Sequence, residues 1–340
     1  MQRRQCLQLS LGLLTAGLAS PSIAATGLRA SDWKQRLLIG FGTTVWLRAA
    51  HANEALTERA LDAAVQLLRD IEAQLSLFLP HSAVTQLNQR GFFDGDAAHL
   101  RRVLAFSRHI SARSNGDFDV TMQPLWTAWA SAVQRGTSPS PQALSNACSR
   151  VNWRDVIIDD LGVRLAQPHM AISLNGIAQG YAADQVRDLF RSYGIEHAHI
   201  DTGETTSIQP KGELSAEAFR IEDLINPEPS AAPTVLPAGR AAATSSDAHT
   251  SFTSDRLHHH IVNPRTGCSP LHWASVTVLA PTAITADALT KVFFMLPPSR
   301  VAVVAQAWAV EVHLQNKQGQ WVHADGRPQT QRTIAPHVNG

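Results

Sequence analysis

The sequence predicts an α+β domain, and three observations carry that expectation. Segments with strand alternation and segments with helical spacing follow one another without a regular strand-helix-strand rhythm, which disfavours a doubly wound parallel sheet. The 340 residues are 44% apolar, enough for an ordinary globular core. No internal repeat of solenoid period is present.

Taken in order, residues 37–47 read as a strand pair or bulged strand broken at Gly40-Phe41-Gly42-Thr43-Thr44. A helix follows, with Thr57 as its cap and Leu61, Ala64, Val65, Leu68, Ile71 and Leu75 down one face. Ser76-Leu77-Phe78 then opens a polar stretch ending at Asn88. A second amphipathic helix spans 97–112 and stops at Asn115-Gly116. Residues 130–150, rich in Ser, Gln, Pro and Ala, read as a surface excursion. Segments 156–158 and 163–165 flank Asp159-Asp160-Leu161-Gly162 as a hairpin, and a helix over 177–193 presents Tyr181, Val186, Leu189 and Phe190 to a core. Strands are expected at 197–201, 218–222, 235–243, 258–262 and 273–280. A last buried helix, 285–296, is stopped by Pro297-Pro298.

Lys plus Arg number 29 and Asp plus Glu 28, a formal charge of +1, so no broad basic field exists to hold nucleic acid. Arg3-Arg4, an apolar run from Leu9 to Ala19 and Ser22-Ile23-Ala24-Ala25 describe an export signal over 1–25, of the twin-arginine type. The run is shorter than the roughly 20 residues of a spanning helix. The expectation is a mature domain, 26–340, in the periplasm, exported after folding and without a membrane span. Cys148 and Cys268 then remain, to pair in an oxidising compartment or to stay apart.

Four stretches are too polar for core and too glycine-rich for a plain surface. Asn115-Gly116-Asp117-Phe118-Asp119-Val120-Thr121 runs into Met122 and Trp126. Ser173-Leu174-Asn175-Gly176-Ile177-Ala178-Gln179-Gly180 precedes a helix whose first amides can face an anion. His260-Ile261-Val262-Asn263-Pro264-Arg265-Thr266-Gly267 reads as a strand entering a turn, with His260 at the strand end. Thr285-Ala286-Asp287-Ala288-Leu289-Thr290 places Asp287 in the first turn of a helix, where the dipole favours a carboxylate that can also hold a cation. Taken singly, each has a plainer reading: Asp287 as a cap, Asp184 as a surface carboxylate, residues 263–267 as an ordinary turn, Trp126 and Trp129 as core or shielding residues.

Together, and in this order, the four stretches resemble the ApbE family of FAD:protein FMN transferases across nearly the whole mature chain. Asn175, Gln179 and Asp201-Thr202-Gly203-Glu204 resemble its NosX-like branch, which accompanies nitrous oxide reduction. The resemblance implies a single T-fold-like domain of mixed sheets and packed helices. It implies Mg²⁺-dependent cleavage of FAD, attachment of FMN to a Thr hydroxyl of a target flavoprotein, with a membrane-bound respiratory protein as the expected target, and release of AMP. It places the metal at Asp287 and the Ala178 carbonyl, and a base at His260. The flavin pocket would be lined by Phe41, Ser76, Leu77, Phe78 and Asp119, with Gln179, Tyr181 and Arg265 also on the cofactor.

Four positions depart from the family pattern. Lys291 stands where a Thr ligand is usual, Gln179 where a Lys is, Glu204 in place of the second Gly of a pair, and Ser246 where Thr-Ser-Gly is expected. A Lys ammonium at 291 would take part of the cation site or touch the diphosphate as a point charge. Two further readings follow: a non-catalytic FAD-binding maturation factor, and an FAD pyrophosphatase in which water replaces the hydroxyl.

Overall fold

Strands β1 (Trp33–Gly40) and β2 (Thr43–Ala50) form a hairpin whose two-residue turn, Phe41-Gly42, has φ of 53° and 79°. This is the turn that matches strand twist, and Phe41 occupies a backbone region that a bulky side chain seldom adopts. Glu72 stabilises it: Phe41 N donates to the buried Glu72 Oε1 at 2.8 Å. A computed structural model describes residues 33–209, 219–225, 233–235, 239–248 and 250–328, so the export segment 1–25 lies outside the described residues.

The chain continues through α1 (Glu54–Leu75), α2 (Ala83–Arg90), β3 (Phe92–Phe93), α3 (Ala98–Arg113), α4 (Gln123–Gln134) and α5 (Pro141–Cys148). Then come β4 (Val156–Asp159), β5 (Gly162–Leu165), α6 (Ala178–Ser192), β6 (His197–Asp201), β7 (Thr205–Ile208), β8 (Phe219–Arg220) and β9 (Thr234–Val235). The described elements close with β10 (Ala241–Ser246), β11 (Trp273–Ala280), α7 (Ala283–Phe294), α8 (Pro298–Trp308), β12 (Glu311–Asn316) and β13 (Trp321–Asp325). The main sheet is antiparallel, in the order β1-β2-β6-β7-β10-β11-β12-β13. A three-stranded sheet runs β3-β5-β4, and β8 pairs with β9.

Strand β11 is buried at every position. Val276 and Val278 belong to the main core, into which α7 packs, whereas Leu279 belongs to a smaller cluster with Ile221, Val235 and Ala242. Helices α6 and α7 pack against each other, and this contact carries the site described below.

Several expectations are corrected. The cap of α1 is Asn53, whose side chain accepts from Leu56 N; Thr57 lies inside the helix and is buried. The stretch after Phe78 contains α2, capped by Ser82, and 130–150 contains the end of α4 and all of α5, which starts at Ser140-Pro141 as a capped helix should. No strand forms over 258–262: Ser269 Oγ accepts from His259 N and donates to His259 O, both at 2.8 Å, taking the groups a ladder would use. A single bridge, Ser251 to His259, remains. Pro298 does not merely stop α7 but opens α8. Cys148 and Cys268 are both free thiols. Trp129, by contrast, packs in a core as expected, a second small one with Leu125, Ala147 and Val262, and stacks on His258 at 4.4 Å.

Candidate functional site at the α6–α7 junction

Helices α6 and α7 cap each other. Asp184 of α6 accepts from the first two amides of α7, Ala283 N at 3.0 Å and Ile284 N at 2.9 Å, and pairs with Arg187 at 2.9 Å. Asp184 is therefore buried and structural, not a surface carboxylate. In return Asp287 of α7 accepts from Gly180 N, in the first turn of α6, at 3.1 Å through Oδ2. The anion facing the start of α6 is thus the protein's own carboxylate. Asp287 lies in the second turn of its helix, not the first, so the dipole that favours its charge is that of α6. Gly180 permits the approach: a Cβ there would stand 2.3 Å from Ala283 O and 2.8 Å from Asp287 Cβ.

Three of the four positions where the sequence departs from the family pattern, Lys291, Gln179 and Glu204, lie at or beside this junction. Lys291 Nζ donates to Asp287 Oδ1 at 2.5 Å and to Asp287 O at 3.2 Å. Glu204, also buried, accepts from Thr244 N at 3.2 Å. Burial first, and then the Asp287 charge, pushes the Glu204 carboxyl well above the ordinary range, with Lys291 pulling the other way. Gln179 lies against Gly203, whose φ is +97° and where a Cβ would meet Gln179 Nε2 at 2.4 Å. Thr202 Oγ1 donates to Gln179 O at 2.8 Å. Thr290 donates to Asp287 O at 2.7 Å and receives a hydrogen bond from Ser245 Oγ, also 2.7 Å away. Glu204 is the residue sequence reasoning left without a role; its placement follows from the Gly203 turn that closes β6 to β7.

These donors do not fit the Mg²⁺ site that the resemblance implies. Ala178 opens α6 beside the junction, but Lys291 stands as a cation with no lone pair to offer while protonated, and it already occupies Asp287 Oδ1. No step below is routed through a metal.

The remaining candidates lie in other groupings. Phe41 is buried at the β1–β2 turn, and the Phe78 ring lies over Gly42, where a Cβ would stand 2.8 Å from its edge. Phe78 is exposed, and Ser76 Oγ accepts from Phe78 N at 3.2 Å, so Ser76-Leu77-Phe78 forms a turned apolar lip after α1. Both oxygens of Asp119 are taken by its own chain: Oδ1 by Thr121 N and Oγ1 at 2.8 and 2.6 Å, Oδ2 by Trp153 N at 3.0 Å. Burial nonetheless pushes its carboxyl up. Arg265 donates to Asp117 Oδ1 and Asn115 O, both at 2.7 Å, docking its turn on the loop after α3. Tyr181 turns away from Asp287, its hydroxyl 2.7 Å from His99 Nδ1. His260 is not at a strand end; its Nδ1 lies 3.1 Å from Thr250 O. The structure therefore brings Gln179, Asp287 and Lys291 to the α6–α7 junction, with Ala178 at the start of α6 beside it, and leaves the other candidates in separate groupings.

A second, partly buried carboxylate network occupies the last hairpin. Glu311 Oε1 lies 3.0 Å from His313 Nε2 and 3.4 Å from His323 Nε2, while Oε2 meets Arg240 at 2.8 Å and Arg327 at 3.0 Å. The three side chains have metal-ligand types, but both carboxylate oxygens are already paired. Burial opposes ionisation of Glu311; bonds from His313 and His323 and the charge of Arg240 outweigh it and hold its pKa below the carboxylate range.

The ApbE family sequence profile matches residues 41–314. The chain belongs to the ApbE family. Among curated relatives it is 27% identical over 316 residues to the FAD:protein FMN transferase of Klebsiella pneumoniae, covering 89% of this chain and 87% of that one. It is 25% identical to that of Haemophilus influenzae, covering 76% and 79%. In structure it superposes on the ApbE protein of Thermotoga maritima with a TM-score of 0.74 at 22% identity, over 86% of this chain and 97% of that one. The apo flavinyl transferase ApbE of Pseudomonas stutzeri gives 0.72 at 24% identity, over 86% and 94%. The fold of this ApbE-family chain is thus the family's α+β fold.

Proposed function

We propose that the chain is an FAD:protein FMN transferase. The observation that carries this reading is the family match over residues 41–314, together with relatives of that name aligned along most of both chains. In the reaction, a Thr hydroxyl of a target flavoprotein attacks the FMN-side phosphorus of FAD. A new P–O bond forms, the bond from that phosphorus to the bridging oxygen breaks, and AMP leaves with that oxygen. The hydroxyl proton passes to a base.

His260 is the candidate base. With a proton on Nδ1 held toward the Thr250 carbonyl, Nε2 is the basic nitrogen. Phe41 and the exposed Phe78 offer apolar faces to the isoalloxazine, and the α6–α7 junction is the place for the diphosphate. Mg²⁺ dependence is left out, because Lys291 holds the carboxylate that would bind the ion. The reading extends to export through residues 1–25 and to action in the periplasm on a membrane-bound respiratory protein, such as one serving nitrous oxide reduction.

The test is incubation of the mature protein with FAD and a target fragment bearing an acceptor Thr, followed by denaturing electrophoresis. Flavin fluorescence that stays with the fragment is the expected result. FMN and AMP without a labelled fragment would make the chain a pyrophosphatase, and intact bound FAD would make it a maturation factor. Lys291 is the observation that favours the last of these.

A further inference from the structure

Asp287 is wholly buried, and its oxygens are satisfied by the protein itself: Oδ1 and the main-chain oxygen by Lys291, Oδ2 by Gly180 N, and the main-chain oxygen again by Thr290. Lys291 follows Asp287 by one helical turn, so the two side chains share a face of α7. The stem of Lys291 runs past Gly176, where a Cβ would stand 3.0 Å from its Cε. Glycine at 176 therefore gives the lysine its path into the junction. Glu204 adds a second buried carboxylate that senses both Asp287 and Lys291 electrostatically.

We propose that the Lys291 ammonium is the resident cation of this junction and stands in place of a divalent ion. Its three donors divide naturally: two are used on Asp287, which leaves one for a phosphate oxygen. A divalent ion sharing Asp287 Oδ1 would sit within a few ångströms of the ammonium and be repelled by it, so the lysine must be displaced before a metal enters. Only the identity of the phosphate compound, the diphosphate of FAD, rests on the transferase reading; exclusion of the ion does not.

Mn²⁺ alone is the probe, titrated into the full chain without nucleotide and read by water proton relaxation. Lys291→Thr is expected to bind one Mn²⁺ at least tenfold more tightly than the wild type, and Asp287→Asn in that background to abolish the gain. Wild-type binding that is lost on Asp287→Asn and lies within tenfold of the Lys291→Thr affinity overturns the proposal. Should Lys291→Thr fail to fold, Lys291→Met, which keeps an apolar stem beside Gly176, carries the same comparison and the same criterion.

FAD fluorescence quenching supplies the second arm. Wild-type affinity is expected to be equal within twofold in EDTA and in Mg²⁺, and to fall at least tenfold in Lys291→Met. An EDTA-sensitive wild type, or an unchanged Lys291→Met, overturns the role of the ammonium at the phosphate. Absence of FAD binding in every protein removes the flavin reading and leaves ion exclusion to the Mn²⁺ titration.

Discussion

The α6–α7 junction holds a fully buried carboxylate and the terminal hairpin a partly buried one, and the two balance charge in different ways. At the hairpin, Glu311 meets Arg240 and Arg327 through one oxygen and His313 and His323 through the other, Arg327 also pairs with Asp325 at 2.8 Å, and these donors outweigh burial so that Glu311 stays ionised. At the junction, the ammonium of Lys291 pairs with Asp287, and the nearby buried Glu204 is pushed toward its protonated form by burial and by the Asp287 charge. The difference teaches which network is structural and which is poised. At both places the carboxylate oxygens are taken, but at the junction the Lys291 ammonium spends two of its three donors on Asp287 and keeps one for an incoming anion.

The largest expected effect is at the hairpin. Glu311→Ala removes the acceptor that Arg240 and Arg327 share, while Arg327 keeps Asp325, and should destabilise the fold by about 3 kcal/mol, read from urea midpoints. The fraction that remains folded should transfer flavin normally. Asp287→Ala should show the reverse pattern. Transfer falls about 100-fold or more, in the manner of lost electrostatic stabilisation, with a smaller stability cost because the flexible stem of Lys291 can carry its charge to water. If the two variants exchange these phenotypes, the division between the networks is wrong.

Acid sharpens the contrast. His259, fully buried, is held down to about 4, chiefly by burial and then by the Lys317 charge. A folded-state pKa below the unfolded value of about 6.5 means stability that is complete above that pH and lost as the pH falls toward 4. The loss should be about 3 kcal/mol by urea melts at stepped pH, and His259→Gln should flatten it. Glu311, also depressed, adds its own loss at still lower pH, below the ordinary carboxylate range. Gly180→Ala should cost about 1–3 kcal/mol by forcing the two helices apart, with a matching fall in transfer. Arg265→Ala should be the mildest, under about 1 kcal/mol, since its pair with Asp117 is half exposed.

The elements that show clean periodicity in the sequence are the ones the structure contains: the β1–β2 hairpin, α1, α3, α6, β11 and α7. Those that the sequence hides have local physical reasons. Helix α5 is short and polar, and its Ser140-Pro141 start reads as a loop when composition alone is weighed. His258 to Val262 has strand composition, but Ser269 diverts the backbone groups of His259. At the site, Asp287, Lys291, Ala178 and Gln179 were legible as positions of one family pattern. The reciprocal capping by Asp184 and Asp287, and the placing of Glu204 where it feels both Asp287 and Lys291, were not, because each depends on elements far apart in the chain.

The most direct measurement is diffraction from crystals soaked in FAD and Mn²⁺, recorded at the manganese edge. The account predicts the diphosphate of FAD within hydrogen-bond reach of Lys291 Nζ, with Lys291 still on Asp287 and no anomalous peak between them. A manganese peak on Asp287, or a diphosphate bound away from the α6–α7 junction, would contradict it.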